Sequence, residues 1–197
     1  ASSSSVYGNN NKIPFKEKDN TDQPLSFYAA SKKTNETMSY AFSNIYKIPI
    51  TGLRFFTVYG PYGRPDMSLY KFSKNILLGK KIDLYNNGNH IRDFTYIEDV
   101  VNIVQKIIKK IPSKKVPYSV YNIGSGKPKK INDYIKEIQK QFKKKIKVNN
   151  LPLQLGDVLK THSSNDLLKK ELNYKPKKNI NYGISKFIKW FKKNDKK

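Results

Sequence analysis

Tyr28 and Lys32 stand four residues apart in the run Tyr28-Ala29-Ala30-Ser31-Lys32. On a helix that spacing turns the phenol and the ammonium to one face. A neighbouring cation favours phenolate over phenol and can draw a tyrosine pKa from about 10 toward neutrality, which suits a group that takes and returns a proton. The spacing alone identifies nothing, because it recurs at Tyr70 and Lys74, Tyr174 and Lys178, and Tyr182 and Lys186. A second candidate is the hydroxyl run Ser2-Ser3-Ser4-Ser5, whose side chains can both donate and accept. A third is the arginine set. Of 39 Lys and Arg residues only Arg54, Arg64 and Arg92 are Arg, and a planar guanidinium grips phosphate or carboxylate in a way that Lys reproduces poorly.

Composition narrows the remaining chemistry. The 197 residues contain no Cys and two His, at 90 and 162, so a thiolate nucleophile, a disulfide scaffold and a His- or Cys-rich metal centre are not expected. With 37% hydrophobic residues, 14 Tyr and 10 Phe, the chain can build a core. No apolar run approaches the ~18–20 residues of a membrane span, and no membrane partner is expected. The net charge of +24 invites a polyanion partner. Because it is almost all Lys, in clusters such as Lys143-Lys144-Lys145 and the pairs Lys192-Lys193 and Lys196-Lys197, it reads instead as a solvated basic surface with no nucleic-acid partner. A basic polyanion-binding module stays as the alternative from outside the enzymes; its signature would be a one-sided Lys/Arg face and a steep salt dependence.

The elements that must position these groups alternate between strand and helix. Residues 1–8 read as a serine-rich segment that ends a strand at Val6-Tyr7, followed by a polar loop over 9–24. Ser26, after Pro24, caps a helix over 26–46 with an apolar face from Ala29, Ala30, Met38, Ala41, Phe42 and Ile45. One strand is expected over 50–58, a turn-rich loop over 59–65, and a helix over 67–78 that stops at Gly79. A short strand at 82–85 closes on Asn86-Asn87-Gly88-Asn89. An extended segment at 92–97 leads into a helix over 98–110, and a strand covers 118–123. Helices at 131–142, 164–172 and 182–193 and a strand near 145–149 complete an α/β chain with a central parallel sheet.

Taken in order, the motifs resemble the extended short-chain dehydrogenase/reductase family of nucleotide-sugar enzymes, and among them the UDP-glucuronate 4-epimerases. The resemblance rests on Ala1 through Gly8, Tyr28-Ala29-Ala30-Ser31-Lys32, Leu53 through Gly60, Gly63-Arg64-Pro65-Asp66-Met67, Arg92 through Ile97, and Leu155-Gly156-Asp157-Val158, and it spans essentially the whole chain. It implies the C-terminal part of a Rossmann-like parallel sheet plus a smaller mixed α/β nucleotide-sugar domain. The remainder of the NAD domain would occupy 1–58 and the UDP-sugar domain 59–197, with 93–123 returning to the sheet. The implied reaction inverts the 4-position of a UDP-sugar through a 4-keto sugar, with NAD as hydride carrier. Tyr28 would be the base, Lys32 would hold the nicotinamide ribose, Ser3 would bond the 4-oxygen, and Phe55 would be a further cofactor contact. Substrate contacts would come from Ser4, Ser5, Thr57, Arg64, Tyr85, Arg92, Gln154 and Asp157, with Arg92 on the diphosphate, Asp157 on the ribose and Tyr85 on the uracil.

Related dehydratases carry an acidic pair directly after the serine position, whereas Ser4 and Ser5 stand here. Neutral hydroxyls suit a uronate carboxylate that an Asp or Glu would repel. UDP-glucuronate is therefore the expected substrate, with UDP-glucose or UDP-N-acetylglucosamine as alternatives. The family's glycine-rich phosphate loop is not found; Gly124-Ser125-Gly126 lies far downstream with too few glycines. The expectation is a C-terminal fragment of a cytoplasmic, homodimeric enzyme that would not bind NAD stably or turn over substrate by itself.

Overall fold

The computed structural model describes residues 1–195; the basic pair Lys196-Lys197 lies outside the described residues. Its centre is a three-stranded parallel sheet in the order β1 (Ser2–Ser3), β2 (Ile50–Phe55), β7 (Tyr118–Ile123). Ser3, Phe55 and Ile123 lie side by side in its register, at the carboxyl ends of their strands. In open parallel sheets ligands bind at that edge. The intervening elements are β3 (Thr57–Tyr59), α2 (Ser68–Leu77), β4 (Ile82–Tyr85), β5 (Ile91–Arg92), β6 (Phe94–Tyr96) and α3 (Ile97–Ile108). The remainder runs β8 (Lys129–Lys130), α4 (Ile131–Phe142), β9 (Val148–Leu151), α5 (Asp166–Leu172) and α6 (Ile180–Asn194). β3 pairs with β6 and β4 with β9, both parallel, while β5 and β8 are antiparallel, so the architecture is α/β with mixed pairing outside the main sheet.

Four segments depart from the sequence expectation. The single strand over 50–58 is two strands in two sheets. The chain changes sheet at Phe56, whose N–H donates to the Ile123 carbonyl at 3.1 Å, while the Thr57 N–H donates to the Asp93 carbonyl at 3.1 Å. Phe56 itself is buried with Val6, Tyr7 and Phe15. Val6 and Tyr7 do not end a strand; they sit in a 3-10 turn, Ser4–Tyr7, that buries both side chains. The segment at 92–97 is broken at Asp93, whose side chain is needed elsewhere. The late strand lies at 148–151 rather than 145–149, in register with β4.

The long helix α1 (Phe27–Tyr46) begins as expected, with Ser26 Oγ accepting from the Ala29 N–H at 3.1 Å. Its orientation is the surprise. The buried positions are Ala29, Glu36 and Ser43, whereas Met38, Phe42 and Ile45 are 54%, 50% and 66% exposed. Ala29 apart, the large side chains of the apolar face read from the sequence therefore point outward. Glu36 faces inward because Arg54 of β2 meets it there: two guanidinium nitrogens donate to its two carboxylate oxygens at 2.8 Å each, and Ser2 Oγ donates at 2.5 Å.

Two apolar clusters hold the remaining elements. One is aromatic and joins β3, β6, α4 and α6, with Phe94 stacked on Tyr134 at 4.1 Å between ring centroids. The other packs α3 and α5 against β7 through Ile103, Ile107, Tyr121, Ile123 and Leu168.

Candidate active site

The carboxyl edge of the sheet opens into a cleft of about 460 Å³. Ser3 at the end of β1 and Ser4 and Ser5 in the following turn line one wall, with Phe55 from β2 and Thr57 from β3 beside them. Tyr28, in the first turn of α1, and Arg64, Arg92 and Asp157 line the same cleft. Nine of the residues singled out in the sequence thus meet in one cavity, although they come from six separate stretches of chain. Met67 and Val158, which stand in the quoted motifs without an assigned role, also line it, as does Thr161, which the sequence reading did not single out.

The serine wall is locally ordered. Ser3 Oγ accepts from the Ser5 N–H at 3.2 Å and donates to Ser5 Oγ at 3.0 Å, so its hydroxyl is held beside the turn. Tyr28 is 56% exposed. Lys32 does not line the cleft; its Nζ stands 5.8 Å from the centre of the Tyr28 ring and donates to the Ala1 carbonyl at 3.1 Å. The phenol and the ammonium are thus on one side of α1, as the four-residue spacing requires.

The three arginines have different settings. Arg54 lies outside the cleft and is structural: besides Glu36, it donates to the Tyr7 hydroxyl at 3.0 Å and the Glu17 carbonyl at 3.0 Å. Burial pushes the Tyr7 hydroxyl up to about 12 despite that guanidinium. Arg64 is exposed on the 59–65 loop and forms a bidentate pair with Asp66. Arg92 is buried more deeply and donates to Asp157 Oδ1 at 2.7 Å and to the Leu159 carbonyl at 3.3 Å. Burial draws the Arg92 guanidinium below its usual range, and Asp157 opposes that shift.

Tyr85 does not reach the main cleft. It lines a neighbouring cleft of about 310 Å³ that shares Thr57, Met67, Arg92 and Asp157 with the first. His90, which the sequence reading passed over, lines this second cleft. Gln154 lies in neither; it is exposed, and its carbonyl accepts from the Asp157 N–H at 3.3 Å.

Asp93 is the residue whose importance is least visible in the sequence. It is fully buried. Oδ1 accepts from the Ser125 N–H at 2.7 Å and the Ser125 hydroxyl at 2.6 Å; Oδ2 accepts from Gly126 and Ser163 N–H groups at 3.0 and 2.9 Å. Gly124-Ser125-Gly126 is therefore a clasp around a carboxylate. A Cβ at Gly124 would meet the Ser163 side chain at 2.3 Å. This clasp ties the residue beside Arg92 to the main sheet and to the 159–164 segment.

The sequence profile of the NAD dependent epimerase/dehydratase family matches residues 1–124. The chain belongs to this family. It is 45% identical over 205 residues to Protein CapI of Staphylococcus aureus, covering 97% of this chain and 61% of that protein. It is 44% identical over 204 residues to UDP-glucuronate 4-epimerase 4 of Arabidopsis thaliana, covering 97% of this chain and 47% of that one. Its fold matches the crystal structure of UDP-glucuronic acid 4-epimerase from Bacillus cereus, in complex with UDP-glucuronic acid and NAD, with a TM-score of 0.90 at 30% identity over 98% of this chain and 60% of the other. The chain thus spans about half to three fifths of the length of these relatives. Among the described residues no helix is long and apolar enough to cross a membrane.

Proposed function

We propose that this chain supplies the catalytic side chains and the nucleotide-sugar site of an NAD-dependent UDP-sugar 4-epimerase, with UDP-glucuronate and UDP-galacturonate as the interconverted pair. The observation that carries the reading is the single cleft shared by Ser3, Tyr28, Thr57, Arg92 and Asp157 at the carboxyl edge of a parallel sheet. The Bacillus cereus relative, crystallised with UDP-glucuronic acid and NAD, supports it.

Tyr28 and Lys32 fit a cofactor contact because a half-exposed phenol and an ammonium share one helix side next to the strand edge. When bound, NAD supplies a reversible hydride acceptor at the sugar 4-carbon. The protein's own part is proton handling and restraint. Tyr28 is the group that takes the 4-hydroxyl proton and returns it after the sugar has presented its other face. The Ser3 hydroxyl holds the 4-oxygen, while Lys32 keeps positive charge beside the Tyr28 ring and offers donors to a ribose. Arg92 grips the diphosphate, Asp157 accepts from the ribose, and Tyr85 covers the base in the adjoining cleft.

The uronate follows from the chemistry of the serine wall. The first acidic residue of the chain is Glu17, so Ser4 and Ser5 present only neutral hydroxyls, and Thr57 adds a third on the same cleft. A carboxylate can accept from all three, and Arg64 adds positive charge on the same cleft. UDP-glucose is the second reading, because a structural neighbour, MoeE5, is recorded with UDP-glucose as well as UDP-glucuronic acid. Cytoplasmic nucleotide-sugar supply for polysaccharide synthesis, and a homodimer formed through α1, accompany the proposal.

A panel of UDP-sugars assayed with the protein that carries this chain tests it. UDP-glucuronate should be converted to UDP-galacturonate, and Tyr28→Phe should lower kcat by at least about 10²-fold. Conversion of UDP-glucose or UDP-N-acetylglucosamine in preference would overturn the substrate, and no epimerisation of any of them would overturn the activity.

A further inference from the structure

His90 stands two residues before Arg92, and its side chain is buried in the wall of the second cleft, beside the Asp157 that borders both. Its Nε2 lies 3.2 Å from Asp157 Oδ2, yet no hydrogen bond is aligned on that nitrogen. The other carboxylate oxygen, Oδ1, accepts from Arg92 Nη2 at 2.7 Å. One carboxylate is therefore flanked by a permanent cation and by an imidazole whose charge is optional. With Arg92 on Asp157, the imidazole is the spare partner.

We infer that His90 is a proton-linked counter-charge for nucleotide-diphosphate binding: when a phosphate takes Arg92, His90 gains a proton and becomes the partner of Asp157. The inference rests on the reading that Arg92 receives the diphosphate. A phosphate bound to the guanidinium competes for the donors that now serve Asp157 and cancels the Arg92 charge. Asp157 is only 33% exposed and cannot be left unpaired cheaply. Burial, then the Arg92 charge, lower the His90 pKa from its ordinary value, while Asp157 and the Tyr85 backbone raise it. Neutralising Arg92 removes one lowering influence and keeps both raising ones, so the bound state holds the proton more tightly.

The other charges near His90 do not change this sign. From β4 come Tyr85 and Asp83, the latter accepting from Asn149 Nδ2 at 2.8 Å. From α4, the Ile131 N–H donates to the His90 carbonyl at 2.9 Å, and Asp133 of that turn lies 3.9 Å from Lys136. Lys160 is bridged through its backbone to Ile91, and Lys129 and Lys130 of β8 pair with Arg92 and Ile91. None of these is a diphosphate ligand, so they act alike on the free and bound states.

Titration calorimetry of the 197-residue chain with UDP-glucose and with UDP-glucuronate, in buffers of different ionisation enthalpy, reads the linked proton directly. Neither ligand has a group of its own that titrates between about pH 5 and 8, the range in which a histidine changes charge. Expected is uptake of up to one proton per ligand in the lower part of that range, falling toward zero at its upper end. Affinity should increase as pH falls, by up to about tenfold per pH unit. His90→Gln should abolish the uptake and flatten the pH dependence, and His162→Gln should leave both intact. The unsubstituted chain decides the matter even if a variant fails to fold, since binding without proton uptake overturns the inference. Uptake that persists in a folded His90→Gln chain overturns it too. If neither nucleotide sugar binds at any pH, the diphosphate reading of Arg92 fails, and the inference falls with it.

Discussion

Arg54 and Arg92 carry the same side chain into opposite roles, and the difference lies in what already occupies their donors. Every arm of Arg54 is bound within the fold, by Glu36, the Tyr7 hydroxyl and the Glu17 carbonyl. Arg92 instead lines both clefts and rests on Asp157, the carboxylate that the proposed diphosphate would replace. Glu36 shows the consequence for stability. Burial pushes its carboxyl up, but hydrogen bonds from Arg54 and Ser2 outweigh this and hold it below the usual carboxylate range. That contribution is fully present above the unfolded carboxyl value and is lost as pH falls through the lower folded one. Replacing Arg54 by Met should leave Glu36 buried without its partner and cost about 3–5 kcal/mol in urea unfolding at neutral pH. Glu36→Gln should in turn reduce the loss of urea midpoint that the unsubstituted chain shows between about pH 5 and 3.

At the scale of elements, the 91–96 segment and helix α1 decide the site. Asp93 interrupts what would be one strand and sends its carboxylate into the Ser125–Gly126 clasp, so Arg92 before it and Phe94 after it serve different sheets. Asp93→Ala would strand three backbone N–H groups and should destabilise the chain by roughly 3 kcal/mol or more, read as a lowered urea midpoint. α1, which carries Tyr28 and Lys32, is tied to the sheet by way of Glu36, one turn beyond Lys32. Its outward stripe of Met38, Phe42 and Ile45 is the surface on which the proposed homodimer depends. Phe42→Lys with Ile45→Asp should shift sedimentation toward the monomer without lowering the urea midpoint; unchanged sedimentation would remove α1 from any such contact.

For the whole molecule, the charge of +24 is a global property and the functional charge a local one. Self-repulsion among so many Lys residues opposes the compact state, and added salt screens it. Raising sodium chloride from about 10 mM to about 200 mM should therefore raise the thermal midpoint. The same titration separates the rival reading. A polyanion module would bind duplex DNA with a logarithmic salt slope that counts its phosphate contacts. The cleft reading expects nucleotide-sugar affinity to depend on Arg92 far more than on the Lys population.

The sequence by itself determined the alternation of strands and helices, the Ser26 cap, the strand at 118–123 and the family, because each is written in local spacing or in short ordered motifs. Most candidate side chains came through the resemblance, because the Tyr28–Lys32 spacing recurs along the chain and only the serine run and the scarce arginines stand out against a Lys-rich background. Which groups share a cavity, that α1 turns Glu36 and Ser43 inward, and that Asp93 sits in a clasp of backbone donors came from the tertiary structure alone. The physical reason is that these outcomes are settled by partners distant in sequence. A buried carboxylate goes where a guanidinium or a set of backbone N–H groups can satisfy it, and that preference overrides the apolar periodicity that governs an isolated helix.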